Sequence, residues 1–92
     1  MKKYLIEVPH EADKNACINA VKIFFATGSH FLTNADWGCY DGEHKAWFTV
    51  EVNSKDEALQ ILPAAFKSKA KIVKLNRFDR ADVDGLLNHH TE

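Results

Sequence analysis

Chemically capable side chains are densest between His30 and His44, a stretch that holds both of those histidines, Cys39, Asp36, Asp41, Glu43, Trp37 and Tyr40. Asp41-Gly42 tolerates the positive φ angles of a type I′ turn, so the segment reads as the tip of a β-hairpin. A two-residue turn there makes Cys39 and His44 a cross-strand pair with Cβ atoms about 4.5 Å apart. A thiolate sulfur and an imidazole nitrogen at that spacing can reach one soft cation. His10 continues the phase of Tyr4, Ile6 and Val8 past the end of a first strand, and topology carries that end toward the same edge. Three donors, His10, Cys39 and His44, then converge, with Glu11, Asp13 or Asp41 as a fourth. A Cys and His set with carboxylate support suits nickel, zinc or copper.

No C-x-x-C or H-x-x-x-H spacing singles this cluster out. Its plain reading, a structural dimer with no ligand, has Cys39 as a small buried hydrophobe, His44 as a surface hairpin residue and His10 as a neighbour of a helix cap. A second functional reading uses the same edge without metal. Tyr4, Phe24, Trp37 and Phe48 would line a pocket between sheet and helix, with Cys39 and His44 at its mouth. His44, whose ordinary pKa lies near neutrality, would be the base of a cofactor-free small-molecule enzyme of the isomerase or monooxygenase type. Aromatics at that spacing also serve simply as core. The pair His89-His90 sits in a polar terminus, where a stray affinity for nickel needs no built site.

The elements that must position these groups follow from periodicity. Residues 3–8 alternate as a strand with Tyr4, Ile6 and Val8 on one face, and Pro9 ends it. From Glu11 to Ala26, Ala12, Ala16, Cys17, Ala20, Val21, Phe24 and Phe25 recur at helical spacing, with Gly28 as the stop. Phe31 to Tyr40 and Glu43 to Val52 read as two antiparallel strands joined at Asp41-Gly42. Ser54-Lys55-Asp56-Glu57 is a capping box for a second helix that Pro63 kinks or restarts. Lys71 to Phe78 reads as a fourth strand, followed by a short helix capped by Asp79 and carrying Val83, Leu86 and Leu87. The expected fold is α+β, a β-α-β-β-α-β ferredoxin-like sandwich whose four-stranded antiparallel sheet is covered by helices on one face, with a short C-terminal helix. Right-handed crossovers put strand three between strands one and two and strand four outside strand one.

The hairpin pairs Cys39 with His44, Trp37 with Ala46, Ala35 with Phe48, Thr33 with Val50 and Phe31 with Val52, and this is the apolar face. Phe31, Phe48, Val50, Val52, Ile6, Val8, Val21, Phe24 and Phe25 are the expected core. Leu5, Leu32 and Trp47 fall on the opposite face, more apolar than solvent requires, so a second copy of the chain is the expected cover.

The chain has 92 residues, enough for one domain over 1–92 with a polar tail at 89–92. A domain this small buries only about 60% of its unfolded surface, which favours association. Twelve Lys and Arg against thirteen Asp and Glu give a net charge of −1, too balanced for a nucleic-acid or anionic-membrane footprint. The third strand offers one outward aromatic, Trp47, beside Thr49 and Glu51, which is no stacking platform for RNA. Neither a membrane span nor a signal peptide is legible, and two cysteines, Cys17 and Cys39, are too few for a disulfide framework, so a cytoplasmic protein with free thiols is expected.

With its element order, Trp37-Gly38-Cys39, Asp41-Gly42-Glu43-His44 and the capping box, the chain resembles small bacterial ferredoxin-like proteins of the dimeric α+β-barrel type, and more distantly their small nickel-binding members. The resemblance implies a face-to-face sheet homodimer and a pocket between sheet and helices. It implies no particular activity and transfers no ligand residue.

Overall fold

A computed structural model describes residues 1–27 and 29–90, the last five by backbone alone. Four strands form one antiparallel sheet: β1 (Lys2–Pro9), β2 (Asp36–Trp37), β3 (Lys45–Val52) and β4 (Lys71–Leu75). Their order is β2-β3-β1-β4, with the long strands β1 and β3 paired from Lys2 with Val52 to Pro9 with Lys45. Alternation on these two strands sends Tyr4, Ile6 and Val8, and Ala46, Phe48 and Val50, to one buried face.

That face is covered by helices. The first, α1 (Lys14–Ala26), starts where the Asp13 carboxylate accepts the Ala16 N–H at 2.8 Å, and it inserts Ala20 and Phe24. After the short α2 (His30–Thr33) come α3 (Lys55–Gln60) and α4 (Ala64–Lys67), which contribute Ala58 and Phe66. The capping box is present: Ser54 Oγ accepts the Glu57 N–H at 3.2 Å, and the Glu57 carboxylate accepts the Asn53 N–H at 2.8 Å. Pro63 separates α3 from α4. Phe24 is the hub, with its ring 5.0 Å from Trp37, 5.4 Å from Phe66 and 6.3 Å from Phe48 between centroids.

Several expectations fail. The run Phe31 to Tyr40 is not a strand: only Asp36 and Trp37 pair with β3, and His30–Thr33 is helical. The cause is local. Asn34 Nδ2 donates to the His30 carbonyl at 2.8 Å and Thr33 Oγ1 donates to the same carbonyl at 3.2 Å, which offers this backbone a turn in place of a ladder. Helical phase then turns Leu32 inward and Phe31 outward. Leu32 is 1% exposed inside its own chain, so it is a core residue and not a dimer contact, while Phe31 is exposed. Phe25 is also exposed, because it lies a helical step away from Phe24, and Val21 and Val52 are half-buried. β4 ends at Leu75 instead of Phe78. A final helix, α5 (Arg80–His90), opens with reciprocal caps, Asp79 accepting the Asp82 N–H at 2.8 Å and Asp82 accepting the Asp79 N–H at 3.0 Å. Gly28, Thr91, Glu92 and the side chains of Leu86 and Leu87 lie outside the described residues, and with them the expected helix stop and half of the expected tail.

Candidate metal centre

Asp41-Gly42 does not make a two-residue turn. Cys39–Asp41 forms one turn of 3-10 helix, and Gly42, at φ 80°, closes it as its N–H donates to the Cys39 carbonyl at 3.2 Å. A type I′ turn needs two consecutive positive φ values, and only Gly42 has one. Cys39 and His44 are therefore not a cross-strand pair, although Trp37 does pair with Ala46. Gly38 begins this loop at a close approach. A Cβ there would stand 2.7 Å from the Glu43 carbonyl oxygen and 2.8 Å from the Trp47 ring, so glycine lets the loop fold back on itself. The Gly38 carbonyl accepts both the Asp41 and the Glu43 N–H at 3.0 Å, which ties the loop's two ends together.

The donors converge by this route. One nitrogen of His10, one of His44 and the Cys39 sulfur all lie within 4.8 Å of one another, each half-buried. His10 N–H donates to the His44 carbonyl at 3.0 Å, extending the β1–β3 ladder by one step and holding the two histidines side by side. Their rings meet edge to face at 5.7 Å. His10 Nδ1 is 2.9 Å from the Glu11 carbonyl, so Nδ1 carries the proton and the Nε2 lone pair points at Cys39 Sγ, 3.1 Å away. His44 Nδ1 is buried and finds no hydrogen-bond partner among the described residues. A buried imidazole nitrogen without a partner costs free energy unless something else satisfies it.

None of the expected fourth donors joins this set. The Asp13 carboxylate is engaged at the cap of α1, Glu11 offers its main-chain carbonyl to His10, and Asp41 is exposed on the 3-10 turn. A residue the sequence reading left out as a donor adjoins the set through Cys39 alone: Cys17 Sγ, from the first turn of α1, lies 2.7 Å from Cys39 Sγ in a hydrogen bond but falls outside the 4.8 Å group of the other three. The signal was its place in the helical pattern four residues after Asp13, on the flank facing the hairpin. Burial, followed by the hydrogen bond and the charge of Cys17, pushes the Cys39 thiol up to about 11. Cys39 is therefore a neutral thiol at neutral pH.

The expected pocket is rearranged. Tyr4, Phe24 and Phe48 are buried and pack as core, so they line no opening between sheet and α1; Trp37 alone of the four faces a cavity beside the donors. That cavity is a groove of about 740 Å³ along α1, walled by Ile18, Val21 and Trp37, with Cys17, Cys39 and His44 in its lining. Comparisons with protein-family models, with curated proteins and with solved structures find no match. Among the described residues no helix is long and apolar enough to cross a membrane.

Proposed function

We propose that this protein binds a transition-metal ion through His10, Cys39 and His44. The convergence of their three donor atoms within 4.8 Å carries the reading. The engaged Nδ1 of His10 and the unpartnered Nδ1 of His44 support it, because metal-bound imidazoles use one nitrogen on the ion and fix the ring through the other, or leave the buried one for the ion itself. Zinc, nickel and copper all suit such donors. The test is native mass spectrometry with elemental analysis of untagged protein beside a variant lacking His89 and His90. Metal retained in both and lost in His10→Ala and His44→Ala is the expected result; metal lost with the terminal histidines, or absent throughout, refutes the site. In the latter case a ligand screen with His44→Ala as control takes up the reading of His44 as a base in a cofactor-free enzyme.

In the same reading the β2-β3-β1-β4 order belongs to a ferredoxin-like sandwich, and the outer sheet face, with half-buried Leu5 and Trp47, meets a second copy in a homodimer. Trp47 Nε1 donates to the Glu7 carboxylate at 3.1 Å, which satisfies its polar edge and leaves the half-buried ring available for cover. Sedimentation at micromolar concentration should give a dimer for the parent chain and a monomer for Trp47→Glu, since the new carboxylate would be buried unpaired. A monomeric parent chain removes this part of the reading. Free thiols at Cys17 and Cys39 accord with a reducing compartment such as the cytoplasm.

A further inference from the structure

We infer that Cys17 is the fourth protein ligand and that the centre is a closed, tetrahedral Cys2His2 site of the zinc type; the inference rests on the three-donor reading above. The first observation is the sulfur pair. Two half-buried Sγ atoms 2.7 Å apart set two soft donors side by side, next to the two imidazoles that reach Cys39. At zinc–sulfur distances of about 2.3 Å, tetrahedral geometry sets two coordinated sulfurs about 3.8 Å apart. Cys17 Sγ, which lies outside the 4.8 Å group of the other three donors, therefore has to swing about 1 Å away from Cys39 and toward the imidazoles, a movement that rotation about χ1 of the half-buried Cys17 supplies.

The second observation is charge. The groove beside the donors is walled by apolar Ile18, Val21 and Trp37, and Lys14, Lys22 and Asp13 also border it, a net positive charge once the Asp13 carboxylate is counted. A divalent ion held by one thiolate and two neutral imidazoles keeps a net charge of +1 beside those lysines. A second thiolate brings the centre to zero, the charge that a half-dry site between cations tolerates best. The third observation is supply. The carboxylates near enough to serve are engaged or exposed, as described above, whereas Cys17 is anchored by its N–H to the Asp13 carbonyl at 3.1 Å and has only Cys39 as a thiol partner.

The consequence is functional. Two sulfurs and two nitrogens in a tetrahedron select zinc over nickel(II) or copper(II), which prefer square-planar or tetragonal nitrogen and oxygen donors. Four protein ligands leave no coordination position for a substrate or a reactive water, so the ion is held or handed on and not used as a Lewis acid.

Cobalt(II) reports both points. The reduced full-length chain titrated with cobalt(II) should show the strong ligand-field bands of a tetrahedral ion and a thiolate-to-cobalt charge-transfer band of two-sulfur intensity. Cys17→Ser and Cys39→Ser should each halve that band, and zinc should bleach it stoichiometrically. Zinc affinity should fall at least tenfold in Cys17→Ser. As a check that does not depend on a variant folding, zinc added to the parent chain should block alkylation of both thiols. A charge-transfer band unchanged in Cys17→Ser, or alkylation of Cys17 undiminished by zinc, overturns the fourth ligand and leaves the three-donor site standing. A parent chain that binds neither cobalt nor zinc overturns both.

Discussion

Two hollows lie beside the sheet, and both are lined by histidine, acidic and aromatic side chains. One, of about 330 Å³, gathers His30, Asn34, Asp36 and Trp47 near the β2 edge. The other is the groove along α1 with Cys17, Cys39 and His44 in its lining. In the first the polar groups already serve the fold. Asn34 Nδ2 donates to the His30 carbonyl and stands 3.4 Å from the His30 ring, and Trp47 Nε1 donates to Glu7. In the second, donors face one another with little else to bind, and one imidazole nitrogen is buried without a partner. Chemical capacity follows from convergent, unsatisfied donors and not from a high count of polar residues.

The largest contrast should come from removing one histidine or thiol on each side. Cys39→Ser should lower zinc affinity by at least about 100-fold, since a metal-bound thiolate is lost outright, whereas His30→Ala should leave it at the parent value by isothermal calorimetry. Equal losses in the two variants would erase the distinction between the hollows. Next in size is stability. Phe24→Ala should cost about 3–5 kcal/mol, because Phe24 is 1% exposed and its ring packs against Trp37, Phe48 and Phe66 in the core. Phe31→Ala, on the wall of the other hollow and 38% exposed, should change urea stability by about 0.5 kcal/mol or less.

This contrast also shows what was legible in the sequence and why. Strands β1 and β3 announce themselves because one face is buried and apolar while the other carries Lys3, Glu7, Lys45, Thr49 and Glu51, so polarity alternates with the pleat. The pairing of Trp37 with Ala46 was readable from the Asp41-Gly42 punctuation even though the turn itself is longer. The segment from His30 to Thr33 misled because β-prone Phe31, Leu32 and Thr33 were weighed by propensity, while Thr33 and Asn34 direct hydrogen bonds back to one carbonyl. His10, Cys39 and His44 were found through topology, which survives a wrong turn type. The approach of Cys17 to Cys39 was not legible because it spans 22 residues and depends on how α1 is rotated over the sheet, and helical spacing leaves that rotation open.

A smaller effect sharpens the role of the loop. Gly38→Ala places a methyl group within 3 Å of the Glu43 carbonyl and the Trp47 ring, so the loop carrying Cys39 must shift. Zinc affinity should fall about tenfold, more than a modest drop in Tm would suggest, because a displacement of even 1 Å misplaces a donor. Gly38→Ala with unaltered zinc affinity would mean that Cys39 is not positioned by this close approach.

The smallest effect is a pH dependence of the metal-free protein. Cys39 has an ordinary pKa of 9.0, raised in the folded chain to about 11 by burial and by its contact with Cys17. Between these values the folded state holds a proton that the unfolded state has released, so stability falls as pH rises. The contribution is fully present below pH 9 and gone above about pH 11. Chelator-treated protein should therefore lose Tm over that interval, and Cys39→Ser should lose less, the difference isolating the thiol. An equal decline in both proteins would mean that the Cys39 thiol is no harder to ionise in the fold than in the open chain. The proton that a metal must displace would then give the groove no more pH sensitivity than an exposed cysteine would.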